Sequence, residues 1–229
     1  YAPENTHAAL ELAERMGADE VELDLRVTAD KRVVVCHDAI LDRFGHAGVC
    51  VEDRKWGDLC ALDMGSWFSP FLFAGERMPT LEGLLFRFGD RFRYHLEVKT
   101  KTEEAVRLIV ACLEAFGLRR QGLVTCFDET VLECVGQVAP GIPRGWLIGR
   151  SGFSPAAVGR AAALGFTQVC PAVDDINEAV VAAAHGRGMT VRAHSVTGVE
   201  GIQRVVAAGA DGLTFDRPDW MKKDLSEKA

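Results

Sequence analysis

The chain has 229 residues, 48% apolar and 26% charged, a balance that fits one α/β domain and excludes disordered, collagen-like and coiled-coil chains. A formal charge of -7 argues against a sequence-independent nucleic-acid surface, which needs clustered Lys and Arg, so an anionic substrate must be met by local charges. No apolar run approaches the roughly 20 residues that span a bilayer, which argues against a transmembrane segment.

In chain order, Asn5 or Thr6 can cap a helix that carries Leu10, Ala13 and Met16 on one face and stops at Gly17. Strands are expected over Glu20 to Arg26 and Arg32 to His37. Only Val27 to Lys31 separates them, and parallel neighbours need a crossover of about a dozen residues, so these two form a hairpin. A strand from Arg93 to Lys99 precedes a helix that opens at Thr102 and Glu104 and closes at Gly117. Strands follow over Leu123 to Phe127 and Gly145 to Ile148, then a helix from Ser154-Pro155 to Gly165 and a strand from Gln168 to Cys170. The series ends with a helix from Asn177 to Gly188, a strand from Thr190 to His194, a helix from Val199 to Gly209 and a strand from Gly212 to Phe215. Each of these helices ends in Gly, which supplies the left-handed conformation a short helix-to-strand loop demands. The alternation is that of a parallel sheet wrapped by helices, with no Pro/Ser-rich linker, and implies one domain over residues 1–229. Setting the hairpin partner aside leaves seven parallel-type strands, one short of a TIM (β/α)8 barrel. The first barrel strand is therefore expected ahead of Tyr1, where the chain opens without Met or a signal peptide.

The seven Cys residues are odd in number and dispersed, with no CxxC pair, and read as reduced and mainly buried. This favours the cytoplasm, although a segment ahead of Tyr1 would be free to carry an export signal.

In Val21-Glu22-Leu23-Asp24-Leu25, strand periodicity puts Glu22 and Asp24 on one face and the aliphatics on the other. Such an acidic pair is common, and a solvated edge face would explain it alone. The strand Leu96-Glu97-Val98-Lys99 has the same habit, with Glu97 and Lys99 sharing a face and His95 assigned to the opposite, aliphatic set. Three inward carboxylates are costly unless neutralised, and a hard cation such as Mg²⁺ or Ca²⁺ does so. The hairpin strand ends in His37-Asp38, one short turn from the acidic pair. A His after a run of valines is often only a strand-end residue, but this placement points to acid/base work. A metal, a His and a Lys to absorb anionic charge together fit phosphoryl transfer or phosphodiester hydrolysis. His7, His46 and His185 read as structural or solvated, whereas His194 follows a strand and would face a barrel mouth.

These residues carry a resemblance over nearly the whole chain. Pro3-Glu4-Asn5-Thr6, Gly17-Ala18-Asp19, Glu22-Leu23-Asp24, and Thr28 with Asp30 come first; His37-Asp38 with Leu41 and Arg43 follows. Gly65-Ser66-Trp67-Phe68, Gly75 to Leu81, Glu97-Val98-Lys99, Thr125-Cys126-Phe127, Gly209 to Gly212 and Asp216-Arg217-Pro218 complete the order. In sequence and spacing they resemble the glycerophosphodiester phosphodiesterases, which are metal-dependent TIM barrels. The resemblance implies that Glu22, Asp24 and Glu97 bind a divalent cation, Mg²⁺ or Ca²⁺, that His37 is one of two catalytic histidines, and that Lys99 contacts phosphate. The implied substrate is a small glycerophosphodiester, hydrolysed to glycerol 3-phosphate and an alcohol. Trp67 and Phe127 would wall the glycerol carbons, with core packing an equal explanation for each, and His194 would stand at the pocket mouth in place of a Trp or Tyr. The second histidine of the family lies in a His-Arg-Gly motif, expected ahead of Tyr1. Two other readings stay open: a related lysophospholipid phosphodiesterase of the same fold, and a non-catalytic barrel that keeps the metal site for binding. The oligomeric state is not legible.

Overall fold

The computed structural model describes residues 1–221. Contacts divide the chain into two compact units, Tyr1–Leu123 and a second that begins at Val124.

In the first unit, α1 (His7–Arg15) is capped by Thr6, whose Oγ1 accepts from the Ala9 amide at 3.2 Å and donates to the Pro3 carbonyl at 2.7 Å. The two candidates for the cap are thus resolved in favour of Thr6, and Asn5 is left with another task. Gly17, at φ 74°, ends the helix in the left-handed region as expected. Strands β1 (Glu20–Val27) and β2 (Val33–Val35) form the anticipated hairpin, with Leu25 opposite Val35 and Val27 opposite Val33. Val35 N–H, on the edge of β2 away from β1, donates to the Pro79 carbonyl at 2.9 Å. Cys36 N–H still donates to the Asp24 carbonyl at 2.8 Å, so His37 sits just past the last hairpin bond.

Residues 38–80 make an excursion with the short helix α2 (Trp56–Leu59) and its own small core. Val34, Cys36, Leu41, Phe44, Val51 and Leu59 are buried there, with Trp67 packed against them. The chain then enters α3 (Leu81–Phe88), capped by Thr80, whose Oγ1 accepts from Gly83 N–H at 3.0 Å. This helix was not expected, since the run is short and carries Gly83. Strand β3 (Arg93–Val98) lies parallel to β1, and α4 (Glu103–Ala115) follows with Thr102 as its cap. The strand order here is β2-β1-β3.

The second unit takes up the end of β4 (Gly122–Cys126) and repeats a strand-helix rhythm through α5 (Glu129–Val138), β5 (Arg144–Ile148), α6 (Pro155–Ala163) and β6 (Gln168–Pro171). It closes with α7 (Glu178–His185), β7 (Thr190–Ala193), α8 (Gly198–Ala207) and β8 (Gly212–Leu213). Consecutive strands from β4 to β8 pair in parallel. Helix α5, like α3, lies outside the expected series; Asp128 caps it, its Oδ1 accepting from Thr130 N–H at 3.0 Å. Inside this unit Arg192 is buried among neutral partners, with Nε 3.3 Å from Gln168 Oε1 and a further bond to Thr214 Oγ1. Among the described residues, three cysteines are buried, four are half-buried and all are free thiols, so "mainly buried" holds only for Cys36, Cys126 and Cys170.

Candidate active site

The parallel register of β1 on β3 sets Asp24 against Glu97 and Glu22 against His95. Period-two alternation then turns Glu20, Glu22, Asp24 and Arg26 of β1 to one side, with His95, Glu97 and Lys99 beside them. Glu22, Asp24 and Glu97 each offer an oxygen, and the three lie within 4.8 Å of one another. Asp24 and Glu97 are only 6% and 9% exposed. Carboxylates this close and this dry repel strongly unless a cation sits among them.

Lys99 is one such cation. Its Nζ lies 2.6 Å from Glu97 Oε1 and 3.1 Å from Asp24 Oδ1. Burial lowers its affinity for a proton, but the two carboxylates outweigh that and hold its pKa above the ordinary lysine value. The oxygens that Glu22, Asp24 and Glu97 bring together are all hard donors, the set a Mg²⁺ or Ca²⁺ ion takes. The acidic set therefore fits a divalent cation.

His95 departs from the expected aliphatic face: residues 95, 97 and 99 share a parity, and the register sets His95 beside Glu22. Its Nε2 is 2.7 Å from Glu20 Oε2, at the opposite end of the same polar face.

His37 is placed by its surroundings. Arg26 reaches across the hairpin and donates from Nε and Nη2 to the His37 carbonyl at 3.1 and 2.7 Å, while Nη1 meets Glu52 Oε1 at 3.0 Å. The imidazole is about half exposed, with Nδ1 2.8 Å from Asp38 Oδ1. Asp38 Oδ2 accepts from Arg43 Nε at 2.9 Å, and Arg43 in turn donates to Glu4 Oε1 at 2.6 Å. Burial raises the Asp38 pKa, but the hydrogen bonds from Arg43 and His37 prevail and hold it below the usual carboxylate range. An ionised Asp38 accepts only, so the Nδ1 of His37 carries a proton and Nε2 is the atom presented for proton exchange. A shallow cleft lies beside this ring, lined by Glu4, Asn5, Thr6, Cys36 and His37 among others.

Trp67 belongs to the small core: its ring meets Phe44 edge-on at 5.5 Å, its Nε1 donates to the Met64 carbonyl, and Arg43 lies 4.6 Å over it. In the second unit, Phe127 follows β4 and meets His194 edge-on at 5.5 Å. His194 Nε2 lies 3.0 Å from the Ile148 carbonyl and Nδ1 2.9 Å from Ser195 Oγ. A carbonyl only accepts, so Nε2 is the protonated nitrogen. His46, by contrast, is tied to the Asp63 carbonyl, and His7 stacks on Phe88. The first unit thus gathers Glu22, Asp24, Glu97 and Lys99, with His37 on the adjoining hairpin. The roles of Arg26, Glu4 and Asn5 escaped the sequence because their partners are 11 to 39 positions away.

A family model described as the glycerophosphoryl diester phosphodiesterase family matches residues 1–220. The Bacillus subtilis (strain 168) protein YhdW is 32% identical over 233 residues, covering 98% of this chain and 93% of its own. A glycerophosphodiester phosphodiesterase of Caldanaerobacter subterraneus is 29% identical over 224 residues, covering 95% and 90%. An Oleispira antarctica phosphodiesterase, solved in complex with the product sn-glycerol-3-phosphate, superposes with a TM-score of 0.89 at 24% identity, covering 98% of this chain and 92% of its own. The fold is the TIM barrel that such proteins share.

Proposed function

Because this chain belongs to the glycerophosphoryl diester phosphodiesterase family, we propose that it hydrolyses a small glycerophosphodiester to glycerol 3-phosphate and an alcohol with the help of a divalent cation. The observation that carries this reading is the acidic set of half-buried Glu22 with buried Asp24 and Glu97, and Lys99 beside it.

Glu22, Asp24 and Glu97 would hold the ion, Mg²⁺ or Ca²⁺. Once bound, the ion supplies positive charge for the phosphate and lowers the cost of forming an oxygen nucleophile. Lys99 is a fixed ammonium between two carboxylates and offers its remaining donor capacity to a phosphate oxygen. His37 exchanges a proton at Nε2, either with the attacking oxygen or with the departing alcohol, while Asp38 keeps the ring oriented through Nδ1. In the overall reaction one P–O ester bond breaks, the new P–O bond comes from water, and the alcohol leaves with a proton.

A second reading, a lysophospholipid as the diester, draws on the loop after Trp67, where Phe71 and Leu72 are 95% and 77% exposed. Glycerophosphocholine and lysophosphatidylcholine offered together separate the two.

The test of the first reading is glycerol 3-phosphate release from glycerophosphocholine by the full-length protein. Glu22→Ala is expected to abolish release while the variant remains folded by circular dichroism. Unchanged turnover in Glu22→Ala would remove the metal assignment.

A further inference from the structure

Asn5 has no part in capping α1, because Thr6 does that. Its backbone nevertheless stands at φ 56°, a left-handed conformation that costs a non-glycine residue free energy, although Asn tolerates it better than most. Both ends of its side chain meet a single residue: Nδ2 donates to Asp24 Oδ2 at 2.8 Å, and Oδ1 accepts from the Asp24 amide at 3.3 Å. The amide orientation is fixed by chemistry, since a carboxylate only accepts and a backbone N–H only donates. Asp24 Oδ2 is thus held by Asn5 while Oδ1 faces Lys99 at 3.1 Å.

We infer that Asn5 is a positioning residue that holds the Asp24 carboxylate in the orientation needed to take the divalent ion. The inference rests on the metal reading above. Without Asn5, Asp24 Oδ1 would keep its contact with Lys99 while Oδ2 lost its side-chain donor, so the carboxylate could turn about the Lys99 contact. Ion binding would then have to restore an arrangement that Asn5 maintains beforehand. The left-handed backbone at Asn5 is what directs the side chain from the start of α1 onto β1. Partners that orient metal-binding carboxylates in this way typically contribute about 10–100-fold to affinity.

The experiment titrates the full-length protein, in the absence of substrate, with Ca²⁺ or Mg²⁺ alone by calorimetry. Asn5→Gly removes the amide but keeps a residue at ease with positive φ, so its ion-free melting temperature should stay close to wild type. Its ion affinity is expected to fall about 10–100-fold. Thr6→Ala, which removes the cap of the same helix, should lower the melting temperature and leave affinity unchanged. Glu22→Ala should not bind. Wild-type affinity in Asn5→Gly would overturn the inference, with the difference between wild type and Glu22→Ala still upholding the metal site. An equal loss in Thr6→Ala would also overturn it, because the effect would then belong to the helix start. Absence of binding by wild type would remove the metal reading and the inference together.

Discussion

At the residue scale, the imidazole of His37 ends a chain that runs from Glu4 through Arg43 to Asp38. Asp38→Asn keeps the shape but replaces a committed acceptor by an amide that can rotate, so the ring loses its defined proton at Nδ1. Turnover is expected to fall by about two orders of magnitude, the lower end of what a positioned acid/base group contributes, with ion affinity unchanged. Kinetics alongside calorimetry would check this. Asp63 gives a second prediction. Its carboxylate accepts from Ser66, Gly75 and Gly65 amides and from the Ser66 hydroxyl, and these bonds drive its pKa well below the carboxylate range. A depressed folded pKa means that its stabilisation is complete above the unfolded value near pH 4 and is lost as pH falls through the folded value. Asp63→Asn should therefore be less stable than wild type at pH 7, with the gap narrowing at pH 3, as urea midpoints would show. The identities of His37, Glu22 and Asp24 stood out in the sequence because local alternation displays them. The grip of Arg26 on the His37 carbonyl did not, because it exists only once the hairpin register is set.

The decisive element is the β1/β3 pair. Its register puts Asp24 beside Glu97, and that juxtaposition opposes stability for the sake of a charged site. Glu22→Gln removes one of three like charges, so the ion-free variant should melt above wild type while losing its response to the ion. Differential scanning fluorimetry with and without Ca²⁺ reads both effects. Lys99→Met should do the reverse. It leaves buried carboxylates without their ammonium and should cost about 3–5 kcal/mol in the ion-free protein. The strands and the hairpin were legible because β-branched runs and a five-residue gap admit few alternatives. The phase of His95 was misread by one position, and in a strand one position exchanges the faces. Helices α3 and α5 lie outside the expected series; both are short, 8 and 10 residues, and their apolar faces show fully only against the strands they pack on.

At the scale of the molecule, the family match over residues 1–220 and the local chemistry of the first unit converge on the same reading. Among the described residues no helix is long and apolar enough to cross a membrane. If the acidic set holds an ion, saturation must stabilise the folded chain through linkage, by about 2.7 kcal/mol at a hundredfold excess over the dissociation constant. The most direct test follows glycerol 3-phosphate release from glycerophosphocholine by the full-length protein before chelation, after EDTA, and after adding back Mg²⁺ or Ca²⁺. Release that stops with EDTA and returns with one of the two ions is the predicted result. Release that continues undiminished in EDTA, or a failure to form glycerol 3-phosphate under any of the three conditions, would contradict it.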